Sequence, residues 1–216
     1  MVAVPEYHEA IVNQFKTRGF KWNYKHNLTE IDTEAKMATF NHHWTEKGEW
    51  DEDLEEYGVV LKSEDVKVPY DFIHVTPPMK APDIVAFSKV GSSKGWVPVK
   101  KETLQHARYK NVWALGDVAA VPMGKTGGSA RKQYKVVVSN MIAAMEGKKL
   151  EAQYYGYTVC PLITSIGTVM LAEFNWTKKP TPMVPLDPTQ ERWIWWLLKV
   201  YLLKPMTQYG MLSGRA

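Results

Sequence analysis

The chain has a single cysteine, Cys160, among 216 residues, so no disulfide forms within it and no cysteine framework staples the fold. No apolar run reaches the roughly 20 residues that a membrane-crossing helix needs. Runs of lysine and arginine are missing too. The formal charge of +4 comes from basic and acidic residues interleaved along the chain, which sets nucleic acid aside as a partner. Residues 1–5 lack a charged segment followed by a long apolar one, so no secretory signal is visible. No Gly-x-Gly-x-x-Gly follows any predicted strand, and with it is missing the first βαβ unit that would grip a dinucleotide pyrophosphate. His74 and His106 are isolated, without ligand spacing, and no metal site is expected.

What is present is an ordinary folding composition, 45% apolar and 23% charged, long enough for one large domain or two small ones. The nine tryptophans are the unusual feature, gathered mainly in 44–50 and 193–196. Over residues 6–18, Tyr7, Ala10, Ile11 and Phe15 make the stripe of an amphipathic helix closed by Gly19. Residues 20–24 are expected as a strand, and 28–32 with 36–40 as a hairpin-like pair. The acidic, tryptophan-bearing stretch 41–57 is expected as a solvated loop, followed by strands at 59–61, 66–68 and a buried one at 70–75. Thr76-Pro-Pro-Met79 stops that last strand, because proline cannot donate to a ladder. Further strands are expected at 96–99, 155–160 and 168–174, with a proline-rich linker at 180–188. A helix over 130–146 carries Tyr134, Val137, Val138, Met141, Ile142 and Met145 at helical spacing, a core-packing stripe.

The rest of the chain is read against residues 109–117, Tyr-Lys-Asn-Val-Trp-Ala-Leu-Gly-Asp. Val112 to Leu115 form a short apolar run, suited to a strand buried on both faces of a mainly parallel sheet. Gly116 ends it, and Asp117 then lies beyond the carboxyl end, where open α/β sheets bind ligands. A glycine-rich loop, residues 121–130, follows and leads into the helix, whose first amides present partial positive charge. By themselves these residues fit an ordinary strand-ending turn as well as a cofactor contact.

Residues 111–117, with Thr103-Leu-Gln-His106 upstream, resemble the second flavin motif of the two-dinucleotide-binding-domain flavoproteins. Several further motifs fall in order: Asp71-Phe-Ile-His-Val-Thr-Pro-Pro-Met79, Lys100-Lys-Glu-Thr-Leu-Gln-His106, Lys125-Thr126, Arg131-Lys-Gln133 and Gly156-Tyr-Thr-Val-Cys-Pro-Leu-Ile-Thr164. Together they resemble sulfide:quinone oxidoreductase over about 4–174, and more loosely in the tail. The resemblance implies an α/β chain with part of a two-dinucleotide-binding-domain, Rossmann-like flavoprotein fold. It lacks the N-terminal βαβ unit that holds the FAD pyrophosphate and ends in an interfacial helix. Residues 1–75 would belong to a second, NAD-like nucleotide-type domain, 76–180 to the C-terminal part of the FAD domain, and 181–216 to a membrane-associated tail.

The same resemblance implies roles. Cys160, by itself as readily a small apolar core residue, matches the C-terminal member of a pair of cysteines that accept sulfide and deliver two electrons to FAD. The thiolate is the reactive form, so a working site should lower its pKa or place a cation nearby. The partner cysteine lies in the half this chain lacks, so the chain is expected as a C-terminal portion, inactive by itself, completed by an N-terminal half or within a homo-oligomer. Gly116 and Asp117 would face the ribityl chain of FAD, and Lys125, Thr126, Gly127 and Gly128 the pyrimidine end of its ring system. Val159, before the cysteine, would line the quinone pocket, with Trp195 and Trp196 as further candidates.

The tail, residues 189–203, mixes tryptophan, tyrosine, aliphatic and basic residues, which suits a helix lying peripherally on a membrane surface; packing on the protein's own core is the alternative. A flavocytochrome-type sulfide dehydrogenase should lack such an aromatic tail, and a type II NADH:quinone reductase has no need of Cys160. A non-catalytic membrane-binding remnant is the rival outside the enzymes.

Overall fold

The computed structural model describes residues 4–214, which fall into two compact units. One is Gly19–Pro78; the other combines the chain before Gly19 with the chain from Met79 onward.

Gly19–Pro78 is a three-stranded antiparallel sheet in the order β1 (His26–Asp32), β2 (Met37–Asp51), β3 (Glu56–Pro69). The expected hairpin-like pair is there, closed where the Asp32 Oδ1 accepts the amides of Glu34 and Ala35 and Lys36 takes a positive φ of 50°. The stretch expected as an acidic loop differs. Most of it is strand, running from β2 into β3, and only its acidic centre turns, with the Asp51 Oδ1 accepting the amides of Asp53 and Leu54. Pairing runs unbroken from Met37 opposite Pro69 to Lys47 opposite Val59, so 59–61 and 66–68 are one strand rather than two. Residues 20–24 and 70–75, expected as strands, are irregular; Phe72 in the supposedly buried one is 85% exposed.

The other unit begins with α1 (Pro5–Thr17), where proline occupies the first turn, Glu6 faces the positive end of the helix dipole and Lys16 the negative end. A single turn, α2 (Asp83–Ala86), precedes a loop-rich region. The strands expected at 96–99 and 112–115 shrink there to isolated bridges: Val97 with Ala119 in parallel, Val99 with His106 and Gln105 with Trp113 antiparallel. The mainly parallel sheet expected around residues 112–115 therefore does not form among the described residues. The backbone instead bonds locally, Ala114 N–H to Leu104 C=O and Ala120 N–H to Val97 C=O, around a core of Val97, Leu104, Ala114, Ala119, Val136 and Tyr154.

Helix α3 (Gly127–Met145) turns a different face inward from the apolar stripe. Ser129, Gln133, Val136, Val137 and Asn140 are buried, whereas Val138 and Ile142 are half exposed and Met145 is 85% exposed. The reason lies in what α3 packs against. Irregular chain brings backbone groups that need partners, and buried backbone polar groups are nearly always paired. Gln133 accepts the Gly116 amide at 2.6 Å and donates to the Gly124 carbonyl at 3.1 Å; Asn140 exchanges hydrogen bonds with Ala152 at 2.8 and 3.1 Å.

Strands β4 (Thr158–Ser165) and β5 (Thr168–Phe174) form an antiparallel hairpin. Met170, Ala172 and Phe174 share one face with Cys160 and Leu162 and are packed by Val4, Tyr7, Ala10 and Ile11 of the N-terminal segment. The chain then crosses proline-rich turns to α4 (Trp193–Leu197), which continues through wide helical turns to Met211. Among the described residues no helix is long and apolar enough to cross a membrane.

Candidate functional site

Gly116 to Val118 make one tight helical turn, entered at Gly116 with φ +69° and open space where a side chain would stand. Lys125 ties this turn to the glycine-rich loop: its ammonium donates to the Asp117 carbonyl at 2.6 Å and sits 3.2 Å from the centre of the Trp96 ring. Partial burial pushes the Lys125 pKa down, against the pull of Asp117. Thr126 caps α3, its hydroxyl accepting the Ser129 amide at 3.2 Å. That leaves the amides of Gly127 and Gly128 as the first-turn donors without an intrahelical acceptor. Gly127 meets nothing where a β-carbon would project, so the helix end is open to an electron-rich ligand. The six residues expected to face a flavin thus converge on one open surface, with an exposed carboxylate at Asp117 and unclaimed amides at the helix end. Such a donor and acceptor set fits the ribityl hydroxyls and the pyrimidine edge of FAD.

Gly128 is where this surface meets the hairpin. A β-carbon there would run into the Val159 side chain, so only glycine lets α3 approach β4 this closely. Cys160 points the other way, since successive strand residues alternate faces. Cys160 stands opposite Ala172 in the core cluster that also holds Met123, and Val159 stands opposite Glu173. Burial pushes the Cys160 thiol up, and Lys199 pulls it down less strongly while its ammonium donates to the Pro161 carbonyl at 2.5 Å. The expected neighbouring cation is there, but desolvation outweighs it.

Trp195 lines a cavity of about 10 Å³ with Leu171, Glu173 and Asp187, room for a single water and far too small for a quinone ring. Trp196 is half-buried on α4. A larger polar cavity of about 290 Å³, between α1 and residues 189–191, contains none of the residues singled out in the sequence. Three site neighbours had gone unassigned in the sequence. Gln133 buttresses Gly116, and Tyr157 donates to the Glu173 carboxylate at 2.5 Å. The signal for Glu173 was visible as a lone carboxylate in an otherwise apolar strand, Thr-Val-Met-Leu-Ala-Glu-Phe.

No family model matches the chain. Curated relatives do. The mitochondrial sulfide:quinone oxidoreductase of Mus musculus is 36% identical over 211 residues, covering 98% of this chain and 43% of that protein. Its Dictyostelium discoideum namesake is 34% identical over 100% of this chain and 44% of its own length. The Schizosaccharomyces pombe protein of the same name is 32% identical over 83% of this chain and 36% of its own. Among solved structures, a chain in the cryo-EM structure of the Tetrahymena thermophila mitochondrial ATP synthase F1Fo tetramer superposes with a TM-score of 0.73. That match covers 96% of this chain and 46% of the other at 21% identity, a likeness of fold alone. At about a third identity over 83 to 100% of its length the chain is similar to sulfide:quinone oxidoreductases, and it spans less than half the length of these curated relatives.

Proposed function

We propose that the chain is the C-terminal portion of an FAD-dependent sulfide:quinone oxidoreductase and supplies one wall of its active site. The observation that carries this is the convergence of Gly116, Asp117, Lys125, Thr126, Gly127 and Gly128 on one surface in a chain related end to end to these enzymes. When bound, FAD carries two electrons from sulfide sulfur to quinone. Asp117 would accept from the ribityl hydroxyls, and the α3 amides with Lys125 would favour negative charge at the pyrimidine end. Cys160 would hold sulfide sulfur together with a second cysteine from the remainder of the enzyme. Its thiol is pushed up by burial as it stands, so activation requires surroundings this chain does not provide by itself.

Val159, on the opposite face, would form the quinone wall, with Trp195 and Trp196 nearer the tail. Exposed Trp193, Ile194, Tyr201, Leu202 and Tyr209 of the tail would lie on a membrane surface, from which a lipid-soluble quinone enters. The remainder of the enzyme is contributed by an N-terminal half, joined to this portion or supplied by another chain. Isolated, the chain turns over no sulfide.

The test is a visible absorption spectrum of the purified chain, alone and mixed with FAD and a separately expressed N-terminal half. The expected result is a flavin band only in the mixture, bleached by sulfide and no longer bleached in Cys160→Ala. A mixture that never acquires a flavin band refutes the proposal and leaves inherited architecture.

A further inference from the structure

We infer that the outer face of α3, along Val138, Met141, Ile142 and Met145, is the surface on which the N-terminal half of the enzyme docks. The inference rests on the functional reading above and names what that reading leaves open, the place where the two halves meet. The four residues stand at i, i+3, i+4 and i+7, the spacing of one stripe on a helix. At 3.6 residues per turn they lie roughly opposite Ser129, Gln133, Val136 and Asn140, the face that α3 buries in its own unit. Met145 is 85% exposed, Val138 and Ile142 about half, and Met141 40%.

The helix cannot cover this stripe by itself. Gln133 is bonded to the Gly116 amide and the Gly124 carbonyl, and Asn140 to both backbone groups of Ala152, so rolling α3 to bury the stripe would break all four bonds. Single exposed apolar residues are ordinary on a protein surface, but four in one line along a helix mark an interaction site. An apolar line at i, i+3, i+4 and i+7 is also the pattern by which a helix seats in a groove of a partner.

Three observations favour the other half of the enzyme over a lipid surface or a second copy. The curated relatives are more than twice as long as the stretch they share with this chain, and in the functional reading the remainder is the N-terminal half. The stripe is continuous with the surface assigned to flavin: Gly127 precedes Val138 by about three helical turns, lies on the same line, and has open space where a β-carbon would project. A half that closes over a flavin held at Gly127 and Gly128 meets the stripe next. The stripe is valine, isoleucine and two methionines, and the flexible methionine side chain suits a protein partner of uneven contour. Tryptophan, which suits a lipid–water interface, stands instead on the tail helix at Trp193, Trp195 and Trp196.

The test reads methionine oxidation and needs no substitution. Dilute peroxide should convert Met141 and Met145 of the isolated chain to sulfoxides at a rate approaching that of free methionine in the same tube. In the assembly with the N-terminal half used above, both should react at least about fivefold more slowly, because an interface that covers the stripe excludes the oxidant. Two variants check the same surface. Ile142→Lys and Met145→Lys should leave the isolated chain melting within about 2 °C of wild type, since neither side chain is buried in it. Each should weaken binding of the N-terminal half at least about thirtyfold in titration calorimetry, the scale of a central interface residue. Ile166→Lys, at the exposed β4–β5 turn, should bind within about twofold of wild type. Methionines left unprotected in an assembly that forms, or lysine variants that bind as wild type does, overturn the interface alone. So does protection gained without the half, by concentrating the chain or by adding phosphatidylcholine–phosphatidylserine vesicles, which assigns the stripe to a second copy or to lipid. A wild-type chain that binds no N-terminal half overturns the functional reading and the interface with it.

Discussion

The sheet of Gly19–Pro78 and the β4–β5 hairpin of the other unit are both antiparallel, yet one is bare and the other is enclosed. Along β3 nearly every residue is exposed, and the sheet buries only Ala38 and Thr39 fully. In β5, by contrast, Val169, Met170, Ala172, Glu173 and Phe174 are all buried. The first is held by register, by aspartate-closed turns and by cross-strand stacking such as His26 on His42 at 4.4 Å. The second is specified by what each side chain touches. Substitutions should therefore be severe in one region and mild in the other, and the candidate site belongs to the severe one.

The largest effect is expected at Gly156, which holds φ at +83° while the Trp176 ring fills the space a β-carbon would take. Gly156→Ala combines backbone strain with a clash, and a loss of about 4 kcal/mol or more in chemical denaturation is expected. A near-neutral result would mean that the turn before β4 is free to move and that the enclosed half of the comparison is overstated. Gly128→Ala comes next, at about 2 to 3 kcal/mol, because the added methyl meets a side chain rather than backbone. Val159→Ala in the same chain should recover more than about 1 kcal/mol of that loss, a coupling read from a double-mutant cycle. Additive losses would separate Gly128 from Val159 and dissolve the contact between the flavin and quinone walls.

Tyr7 tests the enclosed hairpin through pH. Its hydroxyl donates to the Glu173 carbonyl at 2.8 Å and accepts the Glu173 amide at 3.1 Å. Burial, the largest cause, pushes its pKa up from 10.0 to about 12. A raised pKa on a group that is neutral when protonated means the stabilisation is complete below pH 10 and is lost as pH rises toward about 12. That loss is about 2 to 3 kcal/mol by linkage. Tyr7→Phe should cost about 1 to 3 kcal/mol at neutral pH, by leaving the Glu173 amide without its acceptor while the Glu173 carbonyl keeps the Thr181 amide, and should flatten the alkaline limb of the stability curve. A variant with an unchanged alkaline limb would assign that limb to other groups.

Much of this was legible from local pattern. The stripe of Tyr7, Ala10 and Ile11 marked α1, alternation marked the first hairpin, and the loop residues from Gly116 to Gly128 were singled out before their convergence was seen. What failed did so for physical reasons. The apolar run at Val112 to Leu115 satisfies its backbone through loop bridges, so hydrophobicity without partner strands misled. The α3 stripe misled because Gln133 and Asn140 are claimed by irregular backbone, and that need is invisible in hydropathy. The acidic stretch from Asn41 to Tyr57 misled because charge on a strand with two exposed faces looks like charge on a loop. Glu173 needed three dimensions, since its place beside the site comes from bonding Tyr157 and standing opposite Val159.

The smallest effect is expected in the bare sheet. Leu61 on β3 is 69% exposed and stands opposite Thr45. Leu61→Thr introduces a β-branched side chain of good strand propensity and removes little buried area, because little of the leucine is covered to begin with. Thermal denaturation should change by no more than about 0.5 kcal/mol. A loss several times larger would show that this face of β3 is covered in solution, by another copy of the chain or another protein, and the contrast between the two regions would then describe the isolated chain only. Repeating the measurement over a hundredfold range of protein concentration separates those cases, since self-association makes the loss depend on concentration and an intrinsic effect does not.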